Sequence, residues 1–274
     1  MCGCFLPKGG RVLAVKTFVF DLDGVVYRGE QPLPGVADTI QTLRHLGHQV
    51  YFFTNNSSKS RPFYRDKLQR MGIETDLDHM MTSGYAAALY LAERGAQGAS
   101  VYAIGEFGLK GELEAIGMRL VDSDDVDYVV VGIDHKFNYD MLVTAQNAIF
   151  RGAKFIAANP DTSFPLEHGR VIAGNGALVA AIKTASGVEP VMIGKPETAA
   201  MHEILRLAHA TPEDTVVIGD RLDTDILAGN RIGATTVLVL TGISTTKDVE
   251  TAPPEMQPKI VIGELRELLD AIND

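Results

Sequence analysis

Short apolar runs alternate with segments of helical spacing along nearly the whole chain. The first run, Lys16–Phe20, is rich in β-branched and aromatic residues and is predicted to be a strand. Apolar residues then recur at helical spacing over 36–46, Gly47 closes that helix, and a second strand is predicted at Gln49–Phe53. A helix that starts at Ser60 completes a βαβα order. This order is typical of a parallel sheet flanked by helices.

The middle of the chain has its own alternation of strands and helices. Beyond Pro190 the pattern again resembles that at the start of the chain. We therefore predict an α/β fold throughout. The further predicted strands are Ser100–Ile104, Asp127–Gly132, Lys154–Ala158, Val191–Ile193, Thr215–Ile218, Thr236–Leu240 and Ile260–Ile262. The further predicted helices cover 83–94, 108–116, 138–150, 176–186, 198–209, 226–232 and 264–273.

Three of the predicted strands end in polar residues that can carry chemistry. Asp21 and Asp23 end the first strand, Thr54 and Asn55 end the second, and Asp220 ends a late one. Two carboxylates at the end of a buried strand indicate a bound cation or a reactive site at that position. Since the carboxyl ends of parallel strands form the ligand crevice of an open sheet, we expect these side chains to share one site.

Four motifs stand in a fixed order along the chain: Asp21-Leu22-Asp23-Gly24, Thr54-Asn55-Asn56, Gly194-Lys195-Pro196, and Gly219-Asp220 with Asp225. Together they resemble the haloacid dehalogenase superfamily of phosphotransferases. The closer resemblance is to its branch of phosphatases with a large inserted cap, such as the p-nitrophenyl, pyridoxal phosphate, phosphoglycolate and NagD-like enzymes. It implies a Rossmann-like catalytic core over 1–83 and 189–274, and an inserted α/β cap over 84–188.

The resemblance implies a Mg²⁺-dependent phosphatase that works through an aspartyl-phosphate. Asp21 is expected to be the nucleophile, and Asp23 the general acid and base. Mg²⁺ is expected to bind Asp21, the backbone carbonyl of Asp23, and Asp220, with Asp225 orienting the surrounding water molecules. The residues expected to bind the phosphate are Leu22, Thr54, Asn55 and Lys195.

The cap of this branch covers the crevice and supplies residues that touch the leaving group. The turn Asn159-Pro160-Asp161 provides our candidates, Asn159 and Asp161, and Gly174-Asn175-Gly176 is a further candidate segment. A tight turn would explain Asn159 and Asp161 equally well. Sequence alone therefore leaves substrate contact and a structural turn as open alternatives here.

Each core motif also has an ordinary interpretation when taken alone. Asp-x-Asp-Gly is more often a turn, and a lysine after glycine is usually solvated. Asp223 and Asp225 could both complement a helix dipole, a role that we assign to Asp223 because Asp225 matches the motif better. The order of all four motifs, each at a strand end or helix start, favours the catalytic interpretation.

Composition narrows the class of partner. The 274 residues carry a formal net charge of −10, with 46% hydrophobic and 22% charged residues. The negative net charge argues against nucleic acid or an anionic membrane as the main partner. No run approaches the roughly 20 apolar residues of a membrane helix, so a cytoplasmic protein is predicted. Cys2 and Cys4 lie in the N-terminal tail, without further cysteines to complete a metal site.

Several functions remain compatible with the motifs. A phosphatase that acts on a small phosphorylated metabolite is the leading hypothesis. A phosphomutase would keep the same two aspartates but return the phosphate, and a phosphometabolite-binding protein could keep the fold without turnover. A dehalogenase is disfavoured because it needs neither Asp23 nor a Mg²⁺ site. The substrate stays open among sugar phosphates, phosphoglycolate, nucleotides and pyridoxal phosphate, and the resemblance also implies a homodimer formed through the cap.

Overall fold

The structure is a computed structural model that describes residues 15–165 and 171–272. The Cys2/Cys4 tail and Asn273, the last residue of the final predicted helix, lie outside this part of the chain. In chain order the strands are β1 Thr17–Phe20, β2 Tyr27–Arg28, β3 Gln31–Pro32, β4 Gln49–Thr54, β5 Met80–Thr82, β6 Ser100–Ile104, β7 Arg119–Leu120, β8 Tyr128–Val131, β9 Lys154–Ala157, β10 Ser163–Pro165, β11 Val171–Ala173, β12 Val191–Met192, β13 Thr215–Gly219, β14 Thr235–Val239 and β15 Ile260–Ile262.

Apart from the helix at Thr246–Thr251, which was not predicted, the helices lie close to the predicted positions. Ser60 caps the second helix by accepting the N–H of Phe63, and Asn138 caps the fifth by accepting that of Met141. In chain order they are α1 Val36–His45, α2 Arg61–Arg70, α3 Ser83–Glu93, α4 Phe107–Ala115, α5 Tyr139–Phe150, α6 Asn175–Ser186, α7 Ala199–Ala208, α8 Leu227–Ile232, α9 Thr246–Thr251 and α10 Leu268–Ala271. A π-helical turn, Leu222–Ile226, precedes α8.

The larger sheet has six parallel strands in the order β15-β14-β13-β1-β4-β5. Apart from the edge strand β15, its strands are buried on both faces, as their apolar sequences require. Side chains alternate along β1: Phe18 and Phe20 pack in the cluster that includes α1, whereas Val19 packs in the cluster that includes α3 and α7. The order confirms the predicted Rossmann-like α/β core and brings β1, β4 and β13 side by side.

A second sheet has five parallel strands in the order β12-β9-β8-β6-β7. It is built from the middle of the chain, which confirms a separate α/β unit inserted into the core. One of its faces packs with α5 and α6, and the other shares an apolar cluster with the larger sheet. Val101 and Val130 of the second sheet thus lie in one continuous core with Val19 and Phe53 of the first.

Six short strands were not predicted from the sequence, and one sheet assignment differs from the prediction; the six are β2, β3, β5, β7, β10 and β11. Met80–Thr82 has only three residues and runs directly into α3. The pairs β2-β3 and β10-β11 are antiparallel hairpins of two or three residues a strand. Val191–Met192 pairs with β9 of the second sheet, although its sequence precedes the core motif at Lys195.

None of the helices within 15–165 and 171–272 is long and apolar enough to span a membrane. The predicted cytoplasmic location stays a prediction.

Two glycines of α4 provide a test of how tightly the second unit contacts the core. A Cβ on Gly108 would lie 2.5 Å from the backbone carbonyl of Lys59, whereas one on Gly111 meets nothing within 4 Å. We expect Gly108→Ala to lower the free energy of unfolding by about 1–3 kcal/mol. Gly111→Ala should raise it by about 0.5–1 kcal/mol. Urea unfolding measures both, and a similar change in the two variants would contradict the tight contact.

Candidate active site

The predicted polar residues meet at the carboxyl edge of the larger sheet. Asp21 directly follows β1, Thr54 ends β4, and Asp220 directly follows β13. They border one open cleft of about 1110 Å³ between the sheet edge and the second unit. The other predicted site residues that line this cleft are Asp23, Asn55, Asp161, Lys195 and Asp225.

The Lys195 ammonium group lies at the centre of the site. Its Nζ donates to Asp21 Oδ1 and Asp225 Oδ1, both at 2.6 Å, and to the carbonyl oxygen of Phe53 at 3.1 Å. Lys195 is only 2% exposed. Burial on its own lowers the pKa of Lys195, but the charges of Asp21 and Asp225 outweigh it and the pKa is raised. The lysine therefore stays positively charged beside Asp21 and Asp225.

Three carboxylates surround this single lysine. Oxygens of Asp21, Asp220 and Asp225 lie within 4.8 Å of one another. Burial raises the pKa of Asp21 well above 3.8, and Lys195 opposes this shift while Asp225 and Asp220 add to it. Burial, followed by the charge of Asp225, raises the pKa of Asp220 to about 7. The site thus carries more negative charge than its lysine balances.

The donor chemistry of this cluster fits a divalent metal. Hard cations such as Mg²⁺ bind carboxylate oxygens, and a divalent charge would remove the mutual repulsion that raises these pKa values. Asp220 is already oriented, because the N–H of Ile243 donates to its Oδ2 at 2.8 Å. These residues could therefore hold a metal ion.

Glycines clear the space around the buried carboxylates. A Cβ on Gly242 would lie 1.8 Å from Asp220 Oδ2, and one on Gly24 would lie 2.6 Å from the same oxygen. A Cβ on Gly219 would lie 2.1 Å from the Cβ of Asp225. Any side chain at these three positions would displace an acid of the cluster.

A tight turn after β1 projects the two aspartates into the cleft. The carbonyl oxygen of Leu22 accepts the N–H groups of residues 25, 26 and 27, and the Leu22 side chain is fully buried. Burial raises the pKa of Asp23 from 3.8 to about 6, and the charge of Lys67 opposes the shift. Near neutral pH, Asp23 can thus exchange a proton that an ordinary aspartate would have lost.

Asn55 binds the backbone on both sides of the lysine. Its Oδ1 accepts the N–H of Lys195 at 2.9 Å, and its Nδ2 donates to the carbonyl oxygen of Lys195 at 2.9 Å and to Asp161 Oδ1 at 3.0 Å. The Thr54 hydroxyl accepts the N–H of Asn56 at 3.1 Å, which bends the loop at the end of β4. The Asn55 side chain is therefore fully used inside the protein.

The two residues of the predicted cap turn lie in different environments. Asp161 borders the cleft. Burial raises the pKa of Asp161, and the hydrogen bond that Asn55 donates to it opposes this shift. Asn159 is 2% exposed and donates to the carbonyl oxygen of Asn55 at 2.6 Å. Asp223 is exposed and pairs with Arg221 outside the acidic cluster.

The chain is similar in sequence and architecture to known hydrolases. A model of haloacid dehalogenase-like hydrolases matches residues 18–119, and a second HAD-like hydrolase model matches residues 192–268. An acid sugar phosphatase of Staphylococcus saprophyticus is 38% identical over 255 residues, which cover 92% of this chain and 98% of that protein. The chain belongs to the haloacid dehalogenase-like hydrolases.

Two solved structures of this family have the same architecture. A p-nitrophenyl phosphatase from Archaeoglobus fulgidus has a TM-score of 0.87 at 35% identity, covering 93% of this chain and 98% of its own. A glycerol phosphate phosphatase from Mycobacterium tuberculosis, solved in complex with magnesium, has a TM-score of 0.86 at 35% identity, covering 94% and 77%. The resemblance to the capped phosphatase branch is confirmed.

Sequence reasoning missed the loop that holds Asp220 in this hydrolase. Gly242 leaves room for the Asp220 side chain, Ile243 binds its carboxylate, and Ser244 donates its N–H to the Asp220 carbonyl oxygen at 3.0 Å. The signal was available, because this loop also follows a buried strand, β14, at the carboxyl edge. It carries no charged residue, so it was not recognised as part of the site.

The raised pKa values predict a pH-dependent stability that a metal should reverse. In metal-free protein, folded Asp23 and Asp220 keep protons to about pH 6 and 7, whereas the unfolded chain loses them near 3.8. The free energy of unfolding should therefore fall as the pH rises from about 4 to about 7, by roughly 1.4 kcal/mol per shifted pKa unit. At about pH 8, Mg²⁺ should restore several degrees of the thermal midpoint relative to EDTA.

Asp220→Asn provides the control for this prediction. It removes one of the raised carboxyls, so the pH dependence in EDTA and the stabilisation by Mg²⁺ should both shrink. An equal Mg²⁺ shift in wild type and Asp220→Asn would contradict a metal site at this carboxylate.

Proposed function

We propose that this chain hydrolyses phosphomonoesters of small metabolites through an aspartyl-phosphate formed on Asp21, with Mg²⁺ as cofactor. The chain is a small-molecule phosphatase of the capped haloacid dehalogenase-like branch. The observation that carries the proposed mechanism is the contact of Lys195 with Asp21 and Asp225 inside the acidic cluster. That contact holds the nucleophile in place and supplies a positive charge beside it.

Asp21 is the proposed nucleophile. A carboxylate attacks a phosphate dianion poorly because two anions must meet. Lys195 lies 2.6 Å from Asp21 Oδ1 and offsets part of that repulsion. The backbone of Asp21 is also fixed, since its N–H donates to the carbonyl oxygen of Ile218 at 2.9 Å. Phosphoryl transfer depends mainly on such positioning and charge neutralisation.

Asp21, the backbone carbonyl of Asp23, and Asp220 are proposed to hold Mg²⁺, and Asp225 is proposed to orient the water around it. When bound, the metal ion would neutralise charge on the phosphate and on the nucleophile. The buried acidic cluster and the magnesium in the structure of the mycobacterial relative support this assignment.

Asp23 is the proposed general acid and base. With a pKa of about 6 it can hold a proton near neutral pH and pass it to the leaving alkoxide. The resulting carboxylate can then take a proton from the water that hydrolyses the aspartyl-phosphate. Burial is the main cause of the raised pKa, so the position of Asp23 in the wall of the cleft tunes this acid.

The phosphate oxygens are proposed to bind at the ends of β1 and β4 and at Lys195. Thr54 and Lys195 line the cleft beside Asp21. The contribution of Leu22 and Asn55 is assigned to their backbone groups, because the Leu22 side chain is buried and the Asn55 side chain is occupied. Backbone N–H groups bind phosphate oxygens without a charged side chain.

A sugar phosphate or polyol phosphate is the proposed substrate class. The relatives at 38% and 35% identity carry the names acid sugar phosphatase and glycerol phosphate phosphatase. The cleft, at about 1110 Å³, has room for such leaving groups beside Asp23 and Asp161. The other metabolite phosphates remain to be compared with these in a substrate panel.

The division into a core over 1–83 and 189–274 and a cap over 84–188 is kept as a proposal. The pairing of β12 with β9 carries the second sheet slightly beyond the proposed boundary. Association into a homodimer through the cap stays a prediction.

Replacement of the nucleophile tests the mechanism. We expect Asp21→Asn to lower kcat for p-nitrophenyl phosphate by about 10³-fold or more, because an amide cannot form the phosphoenzyme. EDTA should abolish activity in the wild type, and added Mg²⁺ should restore it. Asp223→Asn is the matched control, since Asp223 is an exposed acid of the same motif outside the cluster.

Similar activity in wild type and Asp21→Asn would contradict the proposed mechanism. Complete absence of turnover in folded, Mg²⁺-loaded wild type would favour the binding-protein alternative. Dependence on a bisphosphate activator, with phosphate returned to the substrate, would indicate a phosphomutase.

A further inference from the structure

A buried chain of amide groups joins the second unit to the two loops that bear the phosphate-binding residues. Asn175 Nδ2 donates to the carbonyl oxygen of Asn159 at 2.7 Å, and Asn159 Nδ2 donates to that of Asn55 at 2.6 Å. The Asn55 side chain then clamps both backbone groups of Lys195. All three asparagines are buried, with at most 7% of their surface exposed.

Asn159 has no donor left for a substrate. One amide hydrogen goes to the Asn55 carbonyl oxygen, and the second points to Ser83 Oγ at 3.4 Å. Its Oδ1 accepts the N–H of Asp161 at 3.1 Å. Asn159 is 2% exposed and borders, with Asp161, a smaller cavity of about 280 Å³, but these contacts leave its amide no free donor for a leaving group.

Close packing fixes the same junction from the other side. The N–H of Gly194 donates to the carbonyl oxygen of Ala158 at 2.8 Å. A Cβ on Gly194 would lie 2.6 Å from that oxygen and 2.7 Å from Asn55 Oδ1. The segment before Asn159 and the loop that carries Lys195 therefore touch without room for adjustment.

We propose that Asn159 is a positioning residue, which orients Asn55 and through it the Lys195 ammonium group. Asn159 holds the Asn55 carbonyl oxygen while the Asn55 side chain holds the Lys195 backbone. The Lys195 side chain then reaches Asp21 and Asp225 at 2.6 Å. Of the two candidates in the turn, Asp161 is left as the one that can face the leaving group. This inference rests on the role proposed above for Lys195.

The proposal separates two kinds of kinetic effect. A substrate-contacting residue changes the preference among leaving groups, whereas misplacement of the phosphate-binding lysine weakens every reaction alike. Displacements near 1 Å at a reacting centre can cost about 100-fold in rate. Binding of inorganic phosphate should weaken as well, because it uses the same lysine but has no leaving group.

The experiment compares Asn159→Ala and Asn159→Asp with Asn138→Ala in the full-length protein. We expect both Asn159 variants to lower kcat by about 10–100-fold for p-nitrophenyl, glycerol and glucose phosphates, with the ratios among these substrates preserved. Inhibition by inorganic phosphate should weaken in parallel. Asn159→Asp keeps the acceptor for Asp161 but places an oxygen against the Asn55 carbonyl, so its loss should be at least as large.

Asn138→Ala is the matched control for a structural effect. It removes an asparagine hydrogen bond at the start of α5, on the exposed side of the second unit. Its thermal midpoint should fall while kcat and phosphate inhibition stay within about twofold of wild type. Ser83→Ala removes the other donor to the Asn55 carbonyl oxygen and should reproduce the Asn159 signature on a smaller scale, which keeps the test open if Asn159→Ala folds poorly.

Two results would overturn the inference. A changed ratio among the three substrates, with phosphate inhibition unaltered, would make Asn159 a substrate contact. Asn159 variants that match Asn138→Ala in both kinetic readouts would make it structural only. Failure of the proposed function is a distinct result, because Asp21→Asn would then retain wild-type activity.

Discussion

The charge balance around one buried lysine governs the rest of this structure. Lys195 is the single cation within hydrogen-bonding distance of the acidic cluster among the described residues, and it contacts Asp21 and Asp225 while Asp220 depends on backbone N–H groups. Three buried carboxylates would be unstable without compensation, since the desolvation of each is costly. The lysine supplies part of this compensation, the cluster could hold a further cation, and the glycines around it leave room for the acids to approach one another.

Much of the core site could be predicted because it depends on local pattern. Strand ends are visible in the sequence, and parallel strands bring their carboxyl ends to one edge. Asp21, Thr54 and Asp220 follow from that rule alone, even though they are far apart in the chain. The motif order then added Lys195, whose distance from Asp21 in sequence hides its 2.6 Å contact in space.

The remaining features depend on long-range contacts that no local pattern encodes. The motif suggests that the Asn55 side chain binds phosphate. In the structure its amide instead forms hydrogen bonds with the backbone of Lys195, 140 positions away. In the sequence Gly242 is indistinguishable from other loop glycines, and only its contact with Asp220 in the structure shows why a side chain cannot fit there. The two-residue strand β12 is too short to show which sheet it joins, because pairing partners and not propensity decide that choice.

The position of β12 limits how the second unit can move. This strand is the last in the second sheet, and only Ile193 and Gly194 separate it from Lys195. A movement of the second sheet that displaced this connection would pull the lysine away from Asp21. The unit is therefore anchored at the Lys195 side, and it is also held at Lys59, where Gly108 packs against the backbone and Glu106 forms an ion pair. A displacement of the second unit would therefore reach the acidic cluster directly through Lys195.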